Sequence, residues 1–405
     1  MKYLCLYFQV HQPNRIRNIP FFQVTNQIPV FADNLNKVIL KKVINNCYQP
    51  ANNLLLSLIR KYPAFKISYS ISGCALDQFE KYSPAMIKSF IRLTKTGNVC
   101  FLSETNNHSL AFIRDKDLFI QQIKAHQQKM QHIFGVQPEV FRNTELIYYD
   151  QIGTWVNELG YKGILMEGAF KVLKDRSPNQ LYHHPQNSRF KLLLKNYKLS
   201  DHVAFRFSNH QWSRWPLTAE KFCHMIDTLP EEDQLINIFM DYETFGEHQK
   251  SSSGIFNFLS MLPKCVFNRK DITFVTPIEA IETIKSIDEI NVKVPVSWAD
   301  EERDLSPWLG NYLQKEAFDF LYDLKEKVEK VNQKELNYIW EYLQTSDHFY
   351  YMSTKKAPSY NIHQYFSPFG SPHEAFINFM NTVTNLDQRL DANLKGELQD
   401  NNRMN

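Results

Sequence analysis

Short runs of β-branched and aromatic residues recur along the chain: YLCLYFQV (3–10), FKISYSI (65–71), NVCFLS (98–103), EVFRNT (139–144), KGILME (162–167), HVAFRF (202–207), LINIFM (235–240) and ITFVTP (272–277). They lack the clean apolar–polar alternation of a half-exposed strand, so they predict parallel strands covered on both faces. Between several of them the apolar positions switch to a helical period. DKDLFIQQIKAHQQKMQHIFG (115–135) predicts a helix opened by Asp115 as N-cap and closed by Gly135. Strands alternating with helices over residues 3–277 specify an α/β fold, either a (β/α) barrel or a doubly wound sheet.

Beyond about residue 305 the texture changes. NYLQKEAFDFLYDLKEKVEKVNQKELNYIWEYLQTSDHFYYM carries Leu, Phe and Tyr on one helical face and Lys and Glu on the other. The expected organisation is a catalytic barrel over 1–304, a helical bundle over 305–390 and a polar tail over 391–405.

Composition narrows the classes. With 30 Phe and 20 Tyr against 12 Gly, the chain favours thick packed layers over a loop-rich scaffold. A formal charge of +3 with no basic stripe interleaved with aromatics excludes nucleic acid as the expected partner. The six cysteines form no C-x-x-C pair, which suits neither a zinc ribbon nor a disulfide framework and fits a reducing cytoplasm. The first apolar run, Tyr3 to Phe8, is short for a signal peptide and is followed by Gln9 and His11. No run approaches the ~20 apolar residues of a membrane span.

Polar residues at the C-terminal ends of the expected strands are the candidates for chemistry: His11, Glu104, Glu145, and Asp241 with Glu243. A barrel builds its site at that end, from several strands at once. Two facing carboxylates are the equipment of glycoside hydrolysis, one protonating the leaving oxygen and the other attacking the anomeric carbon or activating water. If the strand continues past Asp241, Glu243 points the same way and its charge helps keep Asp241 protonated. The bland alternative is that these acids cap helices or pair with Arg142 and other bases. A metal-dependent deacetylase is the rival chemistry, and no H-x-x-x-H pair supplies its ligands.

In order and spacing, FQVHQP, FLSETNNHSLAF, VFRNTELIYYDQIG, IFMDYETFGEH and FVTPIEA resemble the five signature regions of glycoside hydrolase family 57. SWADEERDLSPWLGN and LQTSDHFYYMSTK resemble downstream segments of its shorter α-amylase-type members. The resemblance implies a seven-stranded (β/α) barrel followed by a helical bundle, and a retaining enzyme acting on α-glucan oligosaccharide or polysaccharide without metal or organic cofactor. By position, Glu145 matches the nucleophile and Asp241 the acid/base. His11, Glu104, His108 and Glu243 match sugar-binding positions, while Trp298, Asp300, Ser346 and Asp347 match the downstream contribution to the cleft. A 4-α-glucanotransferase on the same scaffold, or a non-catalytic glucan-binding protein, is the alternative reading. Departures from the family's pattern fall at Cys100, Asn106 and Asn107, and at Met166 and Phe170. Chain-length specificity and oligomeric state are not legible.

Overall fold

The computed structural model describes residues 1–25, 28–355 and 367–404, without the side chains of 397–404. It contains strands β1 (Lys2–Val10), β2 (Ile67–Ile71), β3 (Val99–Phe101), β4 (Val140–Arg142), β5 (Gly163–Glu167), β6 (Leu181–His184), β7 (Asn187–Lys195), β8 (Leu235–Asp241), β9 (Phe245–Gly246), β10 (Gln249–Lys250) and β11 (Ile272–Phe274). Residues 1–12, 39–106 and 120–298 form one compact unit, and 13–38, 107–119 and 299–405 a second.

The first unit is built on the strand order β3-β2-β1-β8-β7-β5-β4. All of these pairings are parallel. Ser103, just past β3, bridges Phe141 of β4, the Ser103 N–H donating to the Val140 carbonyl at 3.0 Å and the Arg142 N–H to the Ser103 carbonyl at 2.8 Å. That bridge joins the two ends of the order, and the seven parallel strands close into a (β/α) barrel. Closure satisfies the edge backbone groups that an open sheet leaves to solvent. β11 pairs with the start of β1 and β6 runs antiparallel against β7. The barrel core includes Cys5, Tyr7, Leu165, Leu193 and Phe239, all fully buried.

One expected strand changes. HVAFRF is not a strand: Tyr197–Ala204 is a helix, with the Asn196 side chain accepting from the Leu199 N–H at its start. The strand in that part of the barrel is β7, ending in KLLLK. Elsewhere the helix runs Lys116–Phe134, Asp115 accepts from the Leu118 N–H at 2.9 Å, and Gly135 follows with φ +69°.

The second unit is helical, with helices Tyr312–Asp323, Lys325–Val331, Lys334–Leu343, Ser346–Tyr350 and Pro372–Met404. The last of these carries through the segment expected as a polar tail. Lys327 ties Asp387 at 2.5 Å and Asp391 at 2.8 Å, and the Asn381 amide donates to the Ile19 carbonyl. Among the described residues no helix is long and apolar enough to cross a membrane.

Candidate active site

The C-terminal ends of β1, β3, β4 and β8 bring together the site residues expected in the first unit. β1 is the organiser. Gln9, near its end, pairs in register with Asp241 of β8. The Gln9 amide N–H donates to Glu104 Oε1 at 3.2 Å, and its oxygen accepts from the Tyr7 hydroxyl and from Ser70, both at 2.7 Å. Glu104 is fully buried, and its other oxygen lies 3.9 Å from the equally buried Arg142 guanidinium. His126 backs this corner as a neutral ring: Nε2 bonds the Ile71 carbonyl, Nδ1 accepts from the Glu104 N–H, and burial holds its pKa low. The Tyr7 phenol is pushed well up by burial, and the charges of Arg142, Glu104 and Asp241 act on it as well.

Glu145 sits beyond β4 in the tight turn Thr144–Leu146, with φ +57° at Glu145 and +51° at Leu146. Left-handed backbone is costly for a residue with a Cβ and persists where neighbours over-determine it. Here the neighbour is Trp298. Its backbone N–H donates to the Glu145 carbonyl at 3.1 Å and its indole N–H to Glu145 Oε2 at 2.6 Å. Among the described residues seven non-glycine positions have positive φ, and three of them are expected site residues: His108, Glu145 and Asp300.

Asp241 ends β8 and is half-buried, which lets it meet a ligand. The strand does not continue. Residues Tyr242–Thr244 make a single tight helical turn, so the alternation argument for Glu243 does not apply. Tyr242 is packing, stacked 5.5 Å from Phe8 and 5.9 Å from Tyr48, with its hydroxyl on Asn52. Glu243 turns inward and is buried; its Oε1 accepts a short hydrogen bond from the Tyr48 hydroxyl and another from Gln12 at 3.3 Å. Tyr48 closes a five-residue π-helical turn, Ile44–Tyr48, an irregularity frequent at functional sites. Burial first, and the charge of Asp241 second, push the Glu243 carboxyl up to about 8. Near neutral pH the pair therefore keeps one proton, and Glu243 is not the permanently ionised neighbour expected beside Asp241.

Gly246 permits the turn that follows, at φ +111°, where a Cβ would come within 1.9 Å of the Asn46 carbonyl oxygen. Glu247 is buried and tied to Lys42 at 2.8 Å and Asn46 at 2.9 Å. That leaves it a structural role. His11 stands at the end of β1 with Nδ1 2.7 Å from Ser72, the N-cap of helix Gly73–Tyr82.

The remaining expected residues belong to the second unit. His108 is buried at φ +52°, and its carbonyl accepts from the Ser346 N–H at 2.9 Å. Asp347 follows in the helix Ser346–Tyr350, its charge adding to the burial that raises the Tyr351 phenol. Asp300 pairs with Lys355 at 3.7 Å. Among the divergent positions, Asn106 and Asn107 are buried, Phe170 is exposed, and burial pushes the Cys100 thiol up to about 12.

Sequence reasoning did not single out Gln9, Gln12, Tyr48 or Lys195. The two glutamines flank His11 in FQVHQP and were open to the same reasoning; Tyr48 and Lys195 act through contacts that no local pattern announces. Among the described residues no group of three or more His, Cys, Asp or Glu is gathered as a metal site.

A parallel (β/α) barrel carrying buried carboxylates at the ends of β3, β4 and β8 defines the class, that of (β/α)-barrel proteins with acidic side chains gathered at the C-terminal ends of the strands. Residues 5–293 match the model of Glycosyl hydrolase family 57, and the chain belongs to that family. A protein of Methanocaldococcus jannaschii named "Putative alpha-amylase" is 40% identical over 98% of this chain and 86% of its own. In fold, the chain is similar to a branching enzyme of Thermococcus kodakaraensis, with TM-score 0.68, 12% identity, and coverage of 90% of this chain and 88% of that one. It is similar also to an alpha-amylase of Thermotoga maritima, with TM-score 0.64, 12% identity, and coverage of 97% and 94%. Against a 4-alpha-glucanotransferase of Thermococcus litoralis the TM-score is 0.64 at 14% identity, over 86% of this chain but 56% of that one.

Proposed function

We propose that the chain is a retaining, α-amylase-like hydrolase of α-1,4-glucans such as maltodextrin, starch or glycogen, with Glu145 as nucleophile and Asp241 as acid/base. The observation that carries the reading is the contrast between the two carboxylates. Glu145 is held by an indole N–H aimed at its carboxylate oxygen, the arrangement that favours an anion. Asp241 lies beside a buried carboxyl that burial pushes up to about 8, so one proton stays in the pair at neutral pH. Environments that push two carboxyls apart assign base and acid.

Asp241, as the more exposed member, passes the pair's proton to the leaving glucosyl oxygen while Glu145 attacks the anomeric carbon. The glycosidic bond breaks and an ester forms. Water then attacks that ester, returning a proton to Asp241 and releasing Glu145. His11, Glu104 and Glu243 are proposed to hold sugar hydroxyls, and His108, Asp300, Ser346 and Asp347 carry the same proposal from the resemblance. Transfer to a sugar hydroxyl is the second reading, favoured by the fold similarity to a glucanotransferase. A cytoplasmic setting is supported by the six cysteines, all free.

Incubation with maltoheptaose, alongside Glu145→Gln, tests the reading. Shorter oligomers with matching new reducing ends mean hydrolysis; longer and shorter oligomers without them mean transfer. Wild-type protein indistinguishable from the variant contradicts both.

A further inference from the structure

Trp298 is surrounded by charge in a way that sugar stacking does not require. The segment leading to it is zipped to the nucleophile's turn. Tyr148 and Val296 exchange N–H···O bonds of 2.9 Å in both directions, and Trp298 then gives its backbone and indole N–H groups to Glu145. Arg142 lies with its guanidinium carbon 5.0 Å from the indole centroid, and Lys195 with Nζ at 5.2 Å. Both cations are buried, and they end strands β4 and β7. Each is steadied by acids of its own: Arg142 by Glu104 at 3.9 Å, Lys195 by Glu167 at 3.6 Å and Asp201 at 3.7 Å.

We propose that Arg142 and Lys195 are positioning residues for the nucleophile, acting through Trp298. Cations near an indole face are attracted by the ring quadrupole, most strongly where water is excluded. Two such contacts fix the plane of the ring, and with it the direction of the N–H. That direction matters because a hydrogen bond weakens steeply as its angle closes below about 120°. A carboxylate on a left-handed turn, with three rotatable side-chain bonds, is thereby confined to one orientation. The inference rests on Glu145 being the nucleophile.

A double-mutant cycle on maltoheptaose turnover separates action through the indole from action on Glu145 directly. Trp298→Phe keeps an aromatic face and loses the N–H; it is expected to lower kcat about tenfold, the value of a charge-assisted hydrogen bond, with KM little changed. Lys195→Met and Arg142→Lys are each expected to lower kcat severalfold alone and to have no further effect in the Trp298→Phe background. Losses that multiply in the doubles, or a Trp298→Phe variant with unchanged kcat, overturn the proposal.

A second readout needs no turnover. In ¹⁵N-labelled protein the Trp298 indole N–H resonance, identified by its loss in Trp298→Phe, is expected to shift in Lys195→Met and Arg142→Lys. A resonance that stays put in both overturns the coupling. A wild-type enzyme inert on α-glucans counts against the proposed activity, while the resonance still decides the coupling.

Discussion

The ends of β4 and β8 each present a buried carboxylate, and the barrel furnishes them in opposite ways. At β4, Glu145 receives an indole N–H, and two buried cations flank that indole. At β8, Glu243 is buried against Asp241 and receives neutral donors, Tyr48 and Gln12. The residue types at the two corners are alike. What separates their chemistry is the charge of the groups packed around them: donors and cations stabilise an anion, whereas burial and a like charge retain a proton.

The largest expected effect comes from breaking the β4 corner alone. Glu145→Gln should cut turnover of maltoheptaose by roughly a thousandfold or more. It should cut turnover of an α-maltosyl fluoride as deeply, because both need the nucleophile. Asp241→Asn should spare kcat/KM for the fluoride, whose leaving group needs no proton, lower its kcat because water then lacks its base, and lose maltoheptaose. Equal losses on both substrates for both variants would erase the difference between the corners.

Next is the proton at β8. The Glu243 carboxyl stands at about 8 in the folded protein against an ordinary value of 4.5. The folded state therefore holds this proton more tightly than the unfolded chain. The stability this contributes is complete below about 4.5 and is lost as pH climbs through about 8. Melting temperatures of the wild type measured from pH 5 to 9 should fall relative to Glu243→Gln, whose profile lacks this component. In kcat/KM, the basic limb should move to lower pH in Glu243→Gln, since the pair no longer shares a proton. Superimposable profiles would contradict the assignment.

Two smaller effects concern the scaffold of the β8 corner. Gly246→Ala puts a Cβ against the Asn46 carbonyl at a left-handed position, and should destabilise the protein by roughly 2–4 kcal/mol in denaturant unfolding. Lys42→Met leaves buried Glu247 with its Asn46 hydrogen bond and the more distant Lys250. Because Lys42 is half exposed, solvent discounts the loss to about 1 kcal/mol.

The barrel was largely legible in the pattern of apolar runs, because strands covered on both faces are apolar throughout. β7 escaped because lysines bracket KLLLK and mark it as surface, whereas Lys195 is buried against Glu167 and Asp201. HVAFRF misled for the converse reason: its β-branched and aromatic residues include the end of a helix capped by Asn196, and Val203 is buried by helix packing. The placement of Glu145 and Asp241 at strand ends was legible from the apolar runs that precede them. The state of Glu243 was not, since it depends on a turn after Asp241 and on Tyr48 from a distant π-helical turn. Nor was the use of Arg142, which becomes specific only when the chain returns with Trp298.

The most direct measurement traps the intermediate that distinguishes the corners. Protein treated with 5-fluoro-α-glucosyl fluoride, digested and mapped by mass spectrometry should carry one glucosyl label, on the peptide containing Glu145 and absent in Glu145→Gln. A label on Asp241 or Glu243, or turnover of the reagent with inversion and no label, would contradict the account.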